Sequence, residues 1–222
     1  MATDPFLREV DEEYRREQIA NLWRKFGGLI LALAFIVVAG IGGWRYWQYS
    51  QLQRSEAAAM RFEDALQLSR EQKSDEAEKA FAALAADGPP GYRLLARFRV
   101  AAETGQGDAE GGAKAFDALA ADTTVEATLR DLARLRAATL RLAAGESGPA
   151  AAELERIATP TNPWRHSARE ILGLAALKRG DFEAATRWFD QMAVDRETPQ
   201  GLRGRLEIYT ALAAGGPVTA TP

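Results

Sequence analysis

The chain has no cysteine and a single histidine in 222 residues. Without cysteine there can be no disulfide staple, no thiol nucleophile and no lipid joined through sulfur, so stability must come from packing. The lone histidine, His166, follows Pro163-Trp164-Arg165 at an expected helix start. With no cysteine or second histidine to complete a relay or a zinc site, it is expected to be structural. Phosphate-cradling and dinucleotide glycine motifs are missing, as is any metal-loop pattern of acids. Pairs such as Glu12-Glu13 and Asp75-Glu76 fall in charged helical surface. An enzyme is therefore not expected, and neither is a cofactor. Charge of one sign is missing too: 28 Lys and Arg face 31 Asp and Glu, net −3. The first 25 residues hold five of the bases and six of the acids, which leaves 23 against 25 beyond them. Nothing polycationic draws this chain to nucleic acid.

What is present begins with Phe26 to Trp44, nineteen uncharged positions between Lys25 and Arg45, ten of them Leu, Ile, Val or Phe. As a helix the run spans roughly 28 Å, close to the bilayer's hydrocarbon thickness of about 30 Å. Those ten side chains favour insertion by roughly 3–6 kcal/mol in total. Trp23 on one side and Trp44, Tyr46, Trp47 and Tyr49 on the other place amphipathic rings where the two interfaces would be. A core helix would show a polar face, and a cleaved signal peptide would lack so long and mixed a leader. One transmembrane helix, 26–47, is expected. Arg8, Arg15, Arg16, Arg24 and Lys25 precede it, whereas Arg45, Arg54 and Arg61 follow, so the N-terminus is expected in the cytoplasm. Within the run Gly28, Ala32, Ala39 and Gly42 share one side and are candidates for packing against another transmembrane helix, although small residues also simply fill an anchor. Residues 1–25 form an expected leader helix, capped near Asp4-Pro5, which orients the anchor or binds a cytosolic partner.

From residue 51 the apolar period is helical, strand signal is almost absent, and Gly and Pro clusters punctuate the chain. The breaks repeat. After Gly180-Asp181 a small residue, Ala185, comes five positions on and Phe189 nine positions on; Gly107-Asp108 is followed likewise by Gly112 and Phe116. Gly145, Ala150 and Leu154 give a third copy, and Gln72, Ala77 and Phe81 a fourth in which the turn glycine is lost. Leu84, Leu119, Ile157 and Met192 follow three residues later, and the copies are 35, 38 and 35 residues apart. This is similar to the tetratricopeptide repeat, a pair of antiparallel helices about 34 residues long. The expected fold is all-α: a single transmembrane helix, then a repeat domain over 50–214 of about four helix pairs, a capping helix Gln200–Ala213 and a disordered tail over 215–222. Val125–Ala144 is apolar on two sides, with Leu132, Leu135 and Leu142 on one and Leu129, Ala133, Ala137 and Leu140 on another, as a helix sandwiched between neighbours must be.

One ordered polar feature remains. Arg165 and Arg169 lie four apart on the first helix of the last pair; Arg130 and Arg134 precede them by 35 residues, and Arg93 and Arg97 occupy the pair before, one residue out of register. The six arginines are either a basic ladder for acidic segments or anionic headgroups, or braces between repeats.

The leader, the crossing that ends in Gly43-Trp44-Arg45-Tyr46-Trp47, the helix beginning Ser55-Glu56-Ala57-Ala58-Ala59 and the divergent repeats together resemble the YfgM family, ancillary subunits of the bacterial SecYEG translocon. The resemblance implies an inner-membrane protein with periplasmic repeats, associated with the translocon and the membrane-bound chaperone PpiD, which helps pass exported polypeptides to periplasmic chaperones. It implies no particular binding residue. A cell-envelope or division adaptor built on the same repeats is the alternative, and a membrane-bound enzyme a remote one.

Overall fold

The computed structural model describes residues 5–215, so the Asp4 cap and all of the expected tail over 215–222 except Gly215 lie outside the described residues; Gly215 itself is helical. Nine α-helices account for the described fold: α1 (Pro5–Arg70), α2 (Ser74–Asp87), α3 (Pro90–Gly107), α4 (Ala109–Ala121), α5 (Ala127–Ala144), α6 (Ser147–Ile157), α7 (Arg165–Lys178), α8 (Phe182–Ala193) and α9 (Gln200–Gly215). Two compact units divide the chain, Met1–Glu56 and Ala57–Pro222.

In the first unit α1 carries the apolar run. Its most apolar eighteen-residue window has a mean hydropathy of 2.3 and is 6% buried, so its large side chains face outward along the whole stretch. A soluble helix with that composition would hide one face; here Leu29, Leu33, Phe35, Val38 and Ile41 are all exposed. The sequence from Arg45 to Arg70 contains neither Gly nor Pro, and accordingly no helix end occurs before Arg70.

In the second unit, consecutive helices pack pairwise from the end of α1 to α9, and four apolar clusters form, one per helix pair. Each cluster contains a pair and reaches the first helix of the next: the end of α1 with α2 and α3, α3 with α4 and α5, α5 with α6 and α7, and α7 with α8 and α9. A pair of helices this short cannot enclose its own apolar face, and stacking the next pair closes it. The repeat register is visible in the burial. Phe81, Phe116, Leu154 and Phe189 are at most 3% exposed, and Ala77, Ala150 and Ala185 are equally buried. At the equivalent Gly112 an added Cβ would lie 2.5 Å from the Gly105 Cα, so α3 and α4 touch backbone to backbone. Helix α5 contributes Leu135 and Ala138 to one cluster and Ala133 and Ala137 to another, the two-sided burial its sequence calls for. It starts at Ala127 rather than Val125, because the Val125 N–H closes a turn on the Asp122 carbonyl.

The turns between paired helices share one backbone solution. In three of four copies a residue one or two positions past the first helix is left-handed: Gly145 at φ 100°, Gly180 at φ 75° and Gln72 at φ 61°. The next N–H then bonds the carbonyl five residues back, Lys73 to Leu68, Glu146 to Arg141 and Asp181 to Ala176, which ends the helix with its last carbonyls satisfied. Gln72 thus keeps the glycine conformation without the glycine. The Gly107 copy differs, since α3 runs through Gly107 and Asp108 is extended at φ −133°. In the two Gly-Asp turns the aspartate begins the second helix. Asp108 and Asp181 accept from the N–H groups of Gly111 and Ala184, each at 2.9 Å, and so cap α4 and α8.

Two stability outcomes follow from this geometry. Gln72→Gly should stabilise the fold by up to about 1 kcal/mol, because a left-handed non-glycine residue costs about 1–2 kcal/mol and glycine's extra unfolded-state entropy offsets only part of the relief. Gly180→Ala should do the reverse. At the best-matched repeat, Phe189→Ala should cost about 3–5 kcal/mol and Ala185→Leu about 1–3 kcal/mol. Thermal and denaturant unfolding of the full chain in mild detergent reads both sets; neutral effects at Ala185 and Phe189 would refute the register.

Candidate partner-binding surface

The six arginines singled out by spacing occupy three equivalent pairs of positions, and the structure gives them different surroundings. Arg165 and Arg169, in the first turns of α7, are 9% and 5% exposed. They converge on Asp195 in the α8–α9 connection: Arg165 Nε donates to Asp195 Oδ2 at 2.9 Å, and Arg169 Nη1 to the same oxygen at 3.3 Å. Arg165 also reaches Glu197, while Arg169 Nε donates to the Ala158 carbonyl at 3.1 Å, at the end of α6. One guanidinium thus ties two successive repeats together. Arg134 spans a similar gap, bonding Asp131 at 2.6 Å and lying 3.7 Å from Glu153 of α6. Arg97 bonds Asp122, just beyond α4, at 2.8 Å. Arg93 is exposed, and Arg130 is half-buried with its Nε hydrogen-bonded to no group among the described residues.

These pairings shift the titration of the carboxylates. The Arg165 guanidinium, reinforced by the Glu197 N–H, holds Asp195 far below the usual carboxylate range. Asp122 is lowered to about 2, chiefly by the Thr124 hydroxyl and then by Arg97. Asp195 carries no periodicity that would have marked it in the sequence; it is a loop acid 26 to 30 residues from its partners. Glu103 was equally hidden. It is buried on α3 and accepts from Ser69 and Gln106, each at 2.7 Å, joining the end of α1 to the second repeat.

The remaining surface of interest is a groove of about 560 Å³ walled by the end of α1, α3 and α5, with Phe116 of α4 also in its lining. Its apolar lining includes Phe62, Phe98, Phe116, Leu132 and Leu140. Arg99 and Arg136 line it as well, and both are exposed. Neither belongs to the six ladder positions, yet 37 residues separate them, as they do Arg93 from Arg130 and Arg97 from Arg134. In the apolar span Gly28, Ala32, Ala39 and Gly42 are exposed, and a Cβ on Gly28 or Gly42 would meet nothing within 4 Å.

His166 lies beside the Asp195 junction, with Nδ1 3.2 Å from the Thr198 hydroxyl and Nε2 3.6 Å from Asp195. Burial, and then the neighbouring Arg165, push its pKa below the ordinary 6.5. A histidine whose folded pKa is depressed contributes stability above its unfolded pKa and loses it as pH falls through the folded value. Because His166 is the only histidine, the melting temperature should fall between pH 7.5 and 5.5, and His166→Gln should flatten that dependence. A second loss below about pH 4 should come from Asp195 together with Asp122 and be reduced, not abolished, in Asp195→Asn, at the cost of a lower melting temperature at pH 7. A melting temperature independent of pH from 7.5 to 5.5 would refute the neutral, buried histidine.

Comparison with known proteins adds the family. A protein from Aggregatibacter actinomycetemcomitans named ancillary SecYEG translocon subunit is 25% identical over 187 residues, 82% of this chain and 88% of its own length. The Escherichia coli (strain K12) protein of the same name is 28% identical over 180 residues, 78% of this chain and 84% of its own. A Haemophilus influenzae protein, again of that name, is 28% identical over 71 residues, 32% of this chain and 34% of its own length. These relatives carry the name of a translocon subunit, not of an enzyme. No solved structure matches significantly. The model of the tetratricopeptide repeat-like domain matches residues 21–209, most of the chain and all four helix pairs, so this protein belongs to the tetratricopeptide repeat-like domain family.

Proposed function

We propose that the chain is a membrane-anchored interaction scaffold of the Sec translocon, with its helical repeats in the periplasm, where they hold exported polypeptides and help pass them to periplasmic chaperones. The observation that carries this reading is the joining of two features in one chain. A single exposed apolar helix able to cross a membrane precedes helical repeats whose full-length relatives are named translocon subunits. A single-pass inner-membrane protein fits both. The excess of arginine and lysine before Phe26 supports a cytoplasmic N-terminus. Tethering explains how a repeat surface of modest intrinsic affinity can act: beside the channel its effective concentration is set by the anchor rather than by diffusion. A membrane-bound chaperone such as PpiD is a natural second partner under this reading. Four of the six ladder arginines are assigned to bracing, supported by the pairing of Arg97, Arg134, Arg165 and Arg169 with carboxylates of their own repeats; Arg93 and Arg130 form no ion pair among the described residues. Gly28, Ala32, Ala39 and Gly42 are assigned to contact with a transmembrane partner, supported by their shared side of the helix and their small side chains, which let another helix approach closely.

Topology and association are read together. A reporter fused after Pro222 should be active only outside the cytoplasm, and the detergent-solubilised chain should co-purify with the translocon. Gly28→Leu with Gly42→Leu should reduce that recovery severalfold while leaving the melting temperature of the repeats unchanged. A cytoplasmic reporter, or a wild-type chain that never recovers the translocon, would overturn the proposal.

A further inference from the structure

A five-residue pattern recurs in the first helices of the middle repeats: Leu95-Ala96-Arg97-Phe98-Arg99 in α3 and Leu132-Ala133-Arg134-Leu135-Arg136 in α5. The structure gives its polar and small positions different work. Ala96 and Ala133 are fully buried. Arg97 and Arg134 are the braces, bonded to Asp122 and Asp131. The outer positions, four apart and hence on one helix face, are Leu95 with Arg99 and Leu132 with Arg136, and all four line the groove. The fourth repeat keeps only the inner part. Ser167-Ala168-Arg169-Glu170-Ile171 retains the buried alanine and the bracing arginine, but Ile171 stands where Arg99 and Arg136 stand. The cationic positions are therefore confined to the part of the solenoid that has the groove.

The charge there is uncompensated. Among the described residues, neither Arg99 nor Arg136 is in an ion pair with a carboxylate, and no acid lines the groove. A second concavity, bounded by α4, α5 and α6, shows the contrast: it holds Asp117, Glu146 and Glu153 beside Arg134, Arg141 and Arg156, and Arg141 already bonds Asp117 at 2.5 Å. That cleft is satisfied from within. The α1–α3–α5 groove instead offers aromatic and leucine walls, a half-exposed Leu95 and two uncommitted guanidiniums at its edge.

We propose that this groove docks an acidic polypeptide segment carrying large apolar side chains, which enter between Phe62, Phe98, Phe116 and Leu132 while Arg99 and Arg136 hold the flanking carboxylates. The occupant is a protein segment, because the cavity has room for a few side chains and its forked donors suit carboxylates in a fixed plane. The proposal rests on the reading of the chain as a protein-interaction scaffold and names the chemistry of what it holds. A basic or uncharged segment would bury the same apolar area without the two ion pairs, so charge supplies the selectivity and apolar area the residence.

The test uses the full chain in nanodiscs of neutral lipid and fluorescence anisotropy with twelve-residue probe peptides, one mixing Asp and Glu with Phe and Leu, the other with every acid replaced by Lys. The acidic probe should bind, its affinity should fall with salt, and Arg99→Glu with Arg136→Glu should weaken it by about tenfold or more. Leu95→Glu, at a half-exposed site that leaves the core intact, should weaken it as well, and Arg93→Glu, away from the groove, should not. Melting temperatures of all variants are measured alongside, and the groove variants should match the wild type. Equal binding of the lysine probe, loss of binding in Arg93→Glu comparable to the groove variants, or Arg99- and Arg136-dependent binding of phosphatidylglycerol vesicles without peptide binding would each overturn the proposal. Co-purification of the same variants with the translocon separates the two readings: retained recovery without peptide binding refutes the groove alone, whereas failure of the wild type to recover the translocon refutes the scaffold reading whatever the peptides do.

Discussion

Every feature of the repeat domain depends on how closely two helices of a pair can approach. A small residue five positions after the turn lets them touch, most closely where Gly112 meets Gly105, and the large residue four positions later then fills the space beneath the next pair. Remove the first and the second no longer fits. The same constraint explains the alanine content: Ala96, Ala133 and Ala168 are fully buried at equivalent positions on three successive first helices, where a larger side chain would force the stack apart. Cores of this kind are built from interfaces between neighbours, so stability is distributed along the stack rather than held in one centre.

Close packing by small residues leaves little apolar area per helix, and ionic ties supplement it at the ends of the repeats. Arg97 with Asp122, and Arg165 and Arg169 with Asp195, each run from a first helix to the segment that follows its partner. Arg169 adds a bond to the preceding repeat through the Ala158 carbonyl. A buried guanidinium is costly without a partner, so removing Asp195 should cost more than the pair adds in net stability. Arg99 and Arg136 form no such pair among the described residues and, unlike Arg93 and Arg130, line the apolar groove.

Much of this was legible in the chain. The turn-plus-five and turn-plus-nine pattern located the buried residues of all four pairs because helix geometry leaves no other arrangement that buries both. The apolar run and its aromatic flanks were equally direct. Other features resisted. Gln72 looked like a lost glycine, yet the backbone there is still left-handed, since the closing hydrogen bond from Lys73 to Leu68 demands it. Gly107 looked like a turn glycine and is the last helical residue. Asp195 and Glu103 are single acids whose long-range partners, Arg165 and Arg169 for the one and Ser69 for the other, lie 26 or more residues away in sequence, beyond the reach of any local pattern. Arg99 and Arg136 were in plain view within a repeated pentapeptide, but the ladder of Arg97 and Arg134 beside them claimed the same spacing. The stripe of Gly28, Ala32, Ala39 and Gly42 reads alike whether it meets lipid or another helix.

If, as proposed, the anchor meets the export channel and the groove meets the exported chain, site-specific photocrosslinking in native membranes tests that division most directly. With a secretory chain stalled in the channel, a photoreactive residue replacing Gly42 should crosslink to translocon subunits, and one replacing Leu95 should crosslink to the stalled chain. Crosslinks from Leu95 that are indifferent to the stalled chain, together with none from Gly42 to the translocon, would contradict it.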